Sequence, residues 1–305
     1  MNHSIKTITG ANGRAYVLLT LTALCWGINA VLGKFAVGEI SPMLLVVLRW
    51  LGVLILLAFV ARRQIKQDWP ILRQHIWFIA ALGVLGFTAF NSLFYIAAHS
   101  TSAVNIGIIQ GSVPVFVLLG VFIASRSRVT MLQIAGVIVT MIGVITVAIK
   151  GDFNQLAALA FNWGDLLMIA ACFFYAAYAV SLRQKPDVGA LSLFSIMAIA
   201  AFFSSIPLVA IEVTLGQWLW PTTTGWIIVV LVALLPSFLA QIFFIQGVGL
   251  IGPSRAGIFV NLVPIFAAVL AVSFLKEPFE TFHAIALVLV LGGIWLAEQG
   301  KPASS

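Results

Sequence analysis

The segment Gly107–Phe116, GIIQGSVPVF, returns 150 positions later as Gly257–Phe266, GIFVNLVPIF. With Pro114 set on Pro264, Phe94 falls on Phe244, Val113 on Val263, Phe116 on Phe266 and Gly143 on Gly293, while Ile108 falls on Ile258, all without a gap. Asn91 then faces Gln241, and Arg126 faces Lys276. At an offset of 149 the earlier parts align as well, Trp26 on Tyr175, Asn29 on Tyr178 and Lys34 on Arg183. The chain reads as two halves, 1–150 and 151–305. In an apolar protein a duplicated half with an odd number of helices must be inverted relative to its twin, and inverted repeats are the architecture of alternating-access carriers.

Composition puts this repeat in a membrane. Of the 305 residues 62% are hydrophobic and 8% charged, against roughly 25% charged in soluble domains. Mean hydropathy is +1.13. A helix needs about 20 apolar residues to cross the hydrocarbon core. Ten candidate spans are expected, at 14–37, 42–61, 74–98, 102–125, 130–149, 163–184, 190–212, 225–249, 254–275 and 281–299. The fold class expected is an all-α membrane protein of ten transmembrane helices in two inverted five-helix repeats.

The net charge of +7 invites a nucleic-acid reading, which the placement of the charges argues against. With the N-terminus in the cytoplasm, Lys6, Arg14, Arg62, Arg63, Lys66, Arg73, Arg126, Arg128, Arg183, Lys185, Arg255 and Lys301 all fall on that side. Lys34, Lys150 and Lys276 fall on the other, and Arg49 lies within a span. This positive-inside bias accounts for the basic balance and places both termini inside. No nucleic-acid partner is expected. The sequence leaves the oligomeric state open.

Pro114 and Pro264 lie near the middles of spans four and nine, and each frees the carbonyl four residues earlier, on Gln110 and Val260. Pro236 in span eight aligns with Gly86 in span three, a second symmetric pair of weak points. Either passive kinks or hinges would account for them; transporters place substrate sites at such breaks. Gly107, Gly111, Gly136, Gly143, Gly292 and Gly293 are read as sites of close helix approach.

Asn29, Asn91, Gln110, Gln241 and Asn261 occupy spans one, three, four, eight and nine, with Trp26, Tyr95, Tyr175, Tyr178 and Phe244 on the same helices or on span six. Such groups belong on the bundle interior rather than in lipid. A cavity of amides and aromatic rings suits a small zwitterion with an apolar or aromatic side chain. Arg49, costly at mid-membrane, either attracts a carboxylate or ties span two to its neighbours. The acidic residues sit in loops or terminal turns. With no mid-membrane carboxylate to relay protons or sodium, uncoupled transport is the expectation.

No enzyme chemistry is expected, since no nucleophile–base pair, metal-ligand spacing or paired carboxylates occur. No catalytic residue, metal or cofactor is anticipated. Gly247, Gly249 and Gly252 spell GxGxxG, but the dinucleotide reading needs a preceding strand and a βαβ unit. Cys25 and Cys172 are read as packing residues.

Trp26-Gly27-Ile28-Asn29, the Pro42–Arg49 segment and Phe94-Tyr95 through Ala103 to Pro114 resemble the first half of an EamA-type drug/metabolite transporter. Phe244 through Pro264 to Lys276-Glu277-Pro278 and the Gly292-Gly293 helix resemble the second. Arg126-Ser127-Arg128 and Tyr175-Ala176 depart from the family pattern. Within the superfamily the chain is most similar to YddG-type aromatic amino-acid exporters. That resemblance implies a multi-pass protein of the bacterial inner membrane that exports small neutral or aromatic amino acids. The alternatives are a broad drug or metabolite exporter or, from another class, an intramembrane enzyme or lipid-handling protein.

Overall fold

Backbone N–H and C=O groups find no water in hydrocarbon, so a chain of this composition has to close its hydrogen bonds within each segment. The computed structural model, which describes residues 2–125, 130–152, 162–251 and 259–299, does so with helices, and no strand occurs among those residues. Arg126, Arg128, Arg255 and Lys301 of the charge comparison lie outside the described residues, as do Gly252, Gly257 and Ile258.

The first part comprises α1 (Asn2–Phe35), α2 (Pro42–Val60), a short α3 (Arg62–Leu72), and α4 (Ile76–Gly83), which runs through a π-helical turn (Val84–Ala89) into α5 (Phe90–Ala97). It continues with α6 (Ala103–Gln110), α7 (Val113–Ser125) and α8 (Met131–Ala148). The second part comprises α9 (Trp163–Ser181), α10 (Ala190–Thr214), and α11 (Thr223–Val232), joined by a π-helical turn (Ala233–Leu239) to α12 (Ala240–Ile251). It ends with α13 (Val263–Leu270), which has a π-helical end (Ala271–Leu275), and α14 (Thr281–Gln299).

Among the described residues seven segments are long and apolar enough to cross a membrane: Gly13–Phe35, Pro42–Val60, Ile76–Ala97, Ala103–Gly120, Trp163–Ser181, Ala190–Thr214 and Thr223–Ile251. The other three expected spans correspond to shorter apolar helices, Met131–Val147, Val263–Leu275 and Thr281–Ala297. The expected span 254–275 begins outside the described residues; its helix is interrupted at Asn261–Leu262, just as the one carrying Pro114 is interrupted at Gly111–Ser112.

Those interruptions follow from the missing proline N–H. With no donor at Pro114 or Pro264 the ladder cannot continue, and Ser112 N and Leu262 N turn instead to Ile109 O and Phe259 O, at 2.9 and 3.0 Å. The two π-helical turns at Val84–Ala89 and Ala233–Leu239 contain Gly86 and Pro236. All four expected weak points are therefore departures from regular α-helix, at matching offsets along the chain.

Helices of the first part pack on helices of the second. α1 lies against α12 and α13, α2 against α10, α5 against α9, α6 against α13, and α8 against α14. Small residues set the closest crossings. A Cβ on Gly107 would sit 2.3 Å from the Ala267 Cβ, and one on Gly111 2.8 Å from Pro264 Cγ. On the α8–α14 seam, Gly136, Gly143 and Gly293 all face the partner helix, whereas a Cβ on Gly292 would meet nothing within 4 Å. The expectation of close packing thus holds for three of those four glycines.

At one end of the bundle, acidic side chains fill the unsatisfied N–H groups at helix starts. Glu212, at the end of α10, accepts from Met43 N and Leu44 N of α2, and Glu277 accepts from Ala103 N and Val104 N of α6 at 2.9 and 3.0 Å. Carboxylates there also suit the helix dipole. Lys34 Nζ donates to Ala98 O and Thr101 O, each at 3.0 Å. Asp165, fully buried, accepts from Thr101 Oγ1 and Asn105 Nδ2. Asn105 Oδ1 then remains as acceptor for His283 Nε2, 3.1 Å away. Cys25 and Cys172 are free and buried.

Candidate functional site

The centre of the bundle holds a cavity of about 60 Å³. Of the residues expected to bind substrate, Trp26, Asn29, Arg49, Asn91, Gln110, Tyr175 and Gln241 line it. Gly86 and Pro236 of the expected hinges also reach the wall, whereas Pro114 and Pro264 do not. Trp50, Phe87, Phe90, Val113, Ser237 and Val260 complete it.

The remaining four expected residues sit elsewhere. Tyr95 is 2% exposed and lies behind Arg49 rather than on the wall. Tyr178 is buried beneath Gly86, where a glycine Cβ would lie 2.4 Å from its ring. Phe244 packs against Trp26 with centroids 5.5 Å apart and planes tilted by 47°, and lines an adjoining crevice. Asn261 lies at the helix break before Pro264, with its Oδ1 buried and unpartnered.

Arg49 organises the polar half of the cavity. It comes from α2 and is 5% exposed. Its Nε donates to Ser237 Oγ at 2.6 Å, and Nη1 donates to Asn91 Oδ1 at 2.5 Å and to Tyr95 OH at 2.8 Å. The Tyr95 hydroxyl in turn donates to Asn29 Oδ1, 3.0 Å away. Hydrogen bonds to a charged group contribute about 1.5–3 kcal/mol each, enough to offset the roughly 2.5–3.5 kcal/mol that insertion scales assign to a mid-membrane arginine.

Both π-helical turns hold this guanidinium. Pro236 has no N–H for Val232 O, the carbonyl four residues earlier. The Ser237 hydroxyl fills that vacancy at 2.6 Å, and its lone pair then accepts Arg49 Nε. In the first part, Asn91 Nδ2 donates to Phe87 O within the other π-helical turn at 2.6 Å, which turns Oδ1 toward Arg49. The arginine thus bridges equivalent irregularities from the two parts of the chain. Ser237 was legible only as a serine beside a mid-span proline; without the fold nothing said it would meet Arg49.

Every partner of Arg49 is neutral, and among the described residues no carboxylate pairs with it and no group hydrogen-bonds to its Nη2. Across the cavity, Gln110 Oε1 is a buried acceptor without a donor. The apolar part is a run of rings. Trp50 and Phe87 stack at 4.6 Å with planes 12° apart, and Phe90 packs against Tyr175 at 5.3 Å. Arg49 also lies 5.4 Å from the Trp50 centroid, within cation–π range. The site therefore offers an unpaired cation, an unpaired amide oxygen and an aromatic face.

Known proteins resemble the chain as a whole. The sequence pattern of the EamA-like transporter family matches residues 13–149 and again residues 162–298. The uncharacterized transporters YyaM and YetK of Bacillus subtilis (strain 168) are each 26% identical, over 92% of this chain and 92% and 86% of their own lengths. An uncharacterized transporter of Archaeoglobus fulgidus is 26% identical over 93% of this chain and 97% of its own. A protein of known crystal structure superposes with a TM-score of 0.63 at 19% identity, covering 93% of this chain and 96% of that one, which speaks to the fold alone.

Proposed function

This chain belongs to the EamA-like transporter family, and we propose that it exports small neutral or aromatic amino acids across the bacterial inner membrane by alternating access, uncoupled from ion gradients. The observation that carries this reading is Arg49, buried on the cavity wall with neutral partners and a free edge. A buried cation without a counter-charge selects a ligand that brings one. A carboxylate on Arg49, an ammonium at Gln110 Oε1 and a side chain on the Trp50, Phe87 and Phe90 rings describe an amino acid with an apolar or aromatic side chain.

The reading includes ten spans in two inverted repeats, 1–150 and 151–305, with both termini cytoplasmic. It is supported by helix breaks and π-helical turns at matching offsets, and by helix pairings that exchange when the halves are swapped, such as α1 on α13 and α9 on α7. At about 60 Å³ the cavity is far below the roughly 300 Å³ where small-molecule sites begin. Entry of an amino acid then needs the halves to part, rocking on the breaks at Gly86, Pro114, Pro236 and Pro264.

Counterflow in proteoliposomes tests the whole reading. Vesicles preloaded with unlabelled phenylalanine are expected to accumulate a labelled trace, at the same rate with and without an imposed pH gradient. Strong dependence on the gradient would refute uncoupled transport, and absence of uptake would refute the substrate class. Gln241→Leu removes an amide from the wall without touching the Arg49 network, so the apparent KM for phenylalanine should rise about 5- to 10-fold with expression intact. An unchanged KM removes Gln241 from the site.

A further inference from the structure

The short helix α3 presents a surface that the transport reading does not use. Arg62, Lys66, Trp69 and Arg73 follow one another at spacings of four, three and four, which puts them on a single helical stripe. All four are exposed, with Arg63 exposed beside them. One flank of the stripe is packed: Ala61 and Leu72 are fully buried and Ile65 is half-buried.

The one acid in the helix does not neutralise the stripe. Asp68 is turned inward, and its Oδ2 accepts from Gly189 N at the start of α10, 2.9 Å away. Among the described residues no carboxylate pairs with Arg62, Arg63, Lys66 or Arg73. The stripe also has a fixed depth. α3 begins directly after the apolar α2, with Ala61 N still bonded to Leu57 O at 2.8 Å, so it emerges where acyl chains give way to headgroups. Trp69, 46% exposed, is the side chain that favours that boundary.

We propose that this stripe of α3 is a docking surface for the headgroups of anionic phospholipids. Juxtamembrane basic side chains are attracted to anionic lipid, each by about fivefold in binding. The tryptophan among them fits the glycerol level of the same leaflet, so cation and ring address one molecule. The positive-inside orientation would put α3 at the cytoplasmic leaflet, but the binding itself does not depend on it.

The test uses purified, delipidated full-length protein in neutral detergent, given equal amounts of phosphatidylglycerol and phosphatidylcholine, with retained lipid counted by native mass spectrometry. The wild type should favour phosphatidylglycerol by roughly tenfold or more. The combined variant Arg62→Gln, Arg63→Gln, Lys66→Gln and Arg73→Gln should lose most of that preference. Arg14→Gln with Lys185→Gln, which removes exposed cations elsewhere, should keep it. Should the fourfold variant fail to elute as a single species, Arg62→Gln with Lys66→Gln is expected to show a smaller loss. No preference in the wild type, its survival in the α3 variants, or equal loss in the control pair would each overturn the proposal. Displacement of the lipid by millimolar inorganic phosphate would overturn the assignment to phospholipid.

Discussion

Arg49→Gln is expected to lower phenylalanine counterflow by roughly 10- to 100-fold while the protein still folds, the range set by the loss of one charge-assisted hydrogen bond to substrate. Folding should survive because the substitution removes the cost of a buried charge together with its hydrogen bonds to Ser237, Asn91 and Tyr95. Arg49→Lys keeps the charge as a point donor that cannot reach Ser237, Asn91 and substrate together, so partial activity is expected. Phenylalaninamide separates a substrate-binding arginine from a merely structural one, because it lacks the carboxylate. The wild type should discriminate strongly against the amide, and Arg49→Gln should not. If both proteins treat acid and amide alike, Arg49 is a tie between helices and nothing more.

Gly136→Leu should have the largest effect on stability. A Cβ there would lie 2.5 Å from both Ala297 N and Gly293 O, backbone atoms that cannot rotate away. The α8–α14 seam would have to separate, at a cost of about 3 kcal/mol or more. Gly292→Leu, one residue from Gly293 but on the open side of α14, should stay within about 0.5 kcal/mol of wild type. The measurement is the fraction of each variant that elutes as a monodisperse peak after graded heating. Equal losses for the two would mean that glycine flexibility, not the close seam, was what mattered.

Much of this architecture was written along the chain. The recurrence of Val113-Pro114 in Val263-Pro264 placed both helix breaks, because a proline without an N–H interrupts the ladder wherever it falls. Gly86 and Pro236 marked the π-helical turns for a related reason: both weaken a regular helix. The amides Asn29, Asn91, Gln110, Gln241 and Asn261 were assigned to the interior because lipid offers them no partner; the first four line the cavity and Asn261 does not.

Other features were beyond the reach of any one-dimensional pattern. Tyr95 and Tyr178 satisfy the same rule as the cavity residues, yet lie behind Arg49 and under Gly86, since polarity says only that a group avoids lipid and not which interior surface it meets. Glu212 and Glu277, near the interface by sequence, become caps for helices far away in the chain. Gly292 and Gly293 are adjacent and chemically identical, and one helical step of about 100° decides that one faces a seam and the other does not. The sequence alone determined the helices, their breaks and the class of residue kept from lipid, because these depend on backbone hydrogen bonding and solvation within each segment. Only the tertiary structure decided that Arg49 stands between Asn91 and Ser237 with one edge free, because that depends on how separate helices rotate and approach, a balance of contacts between residues up to 188 positions apart.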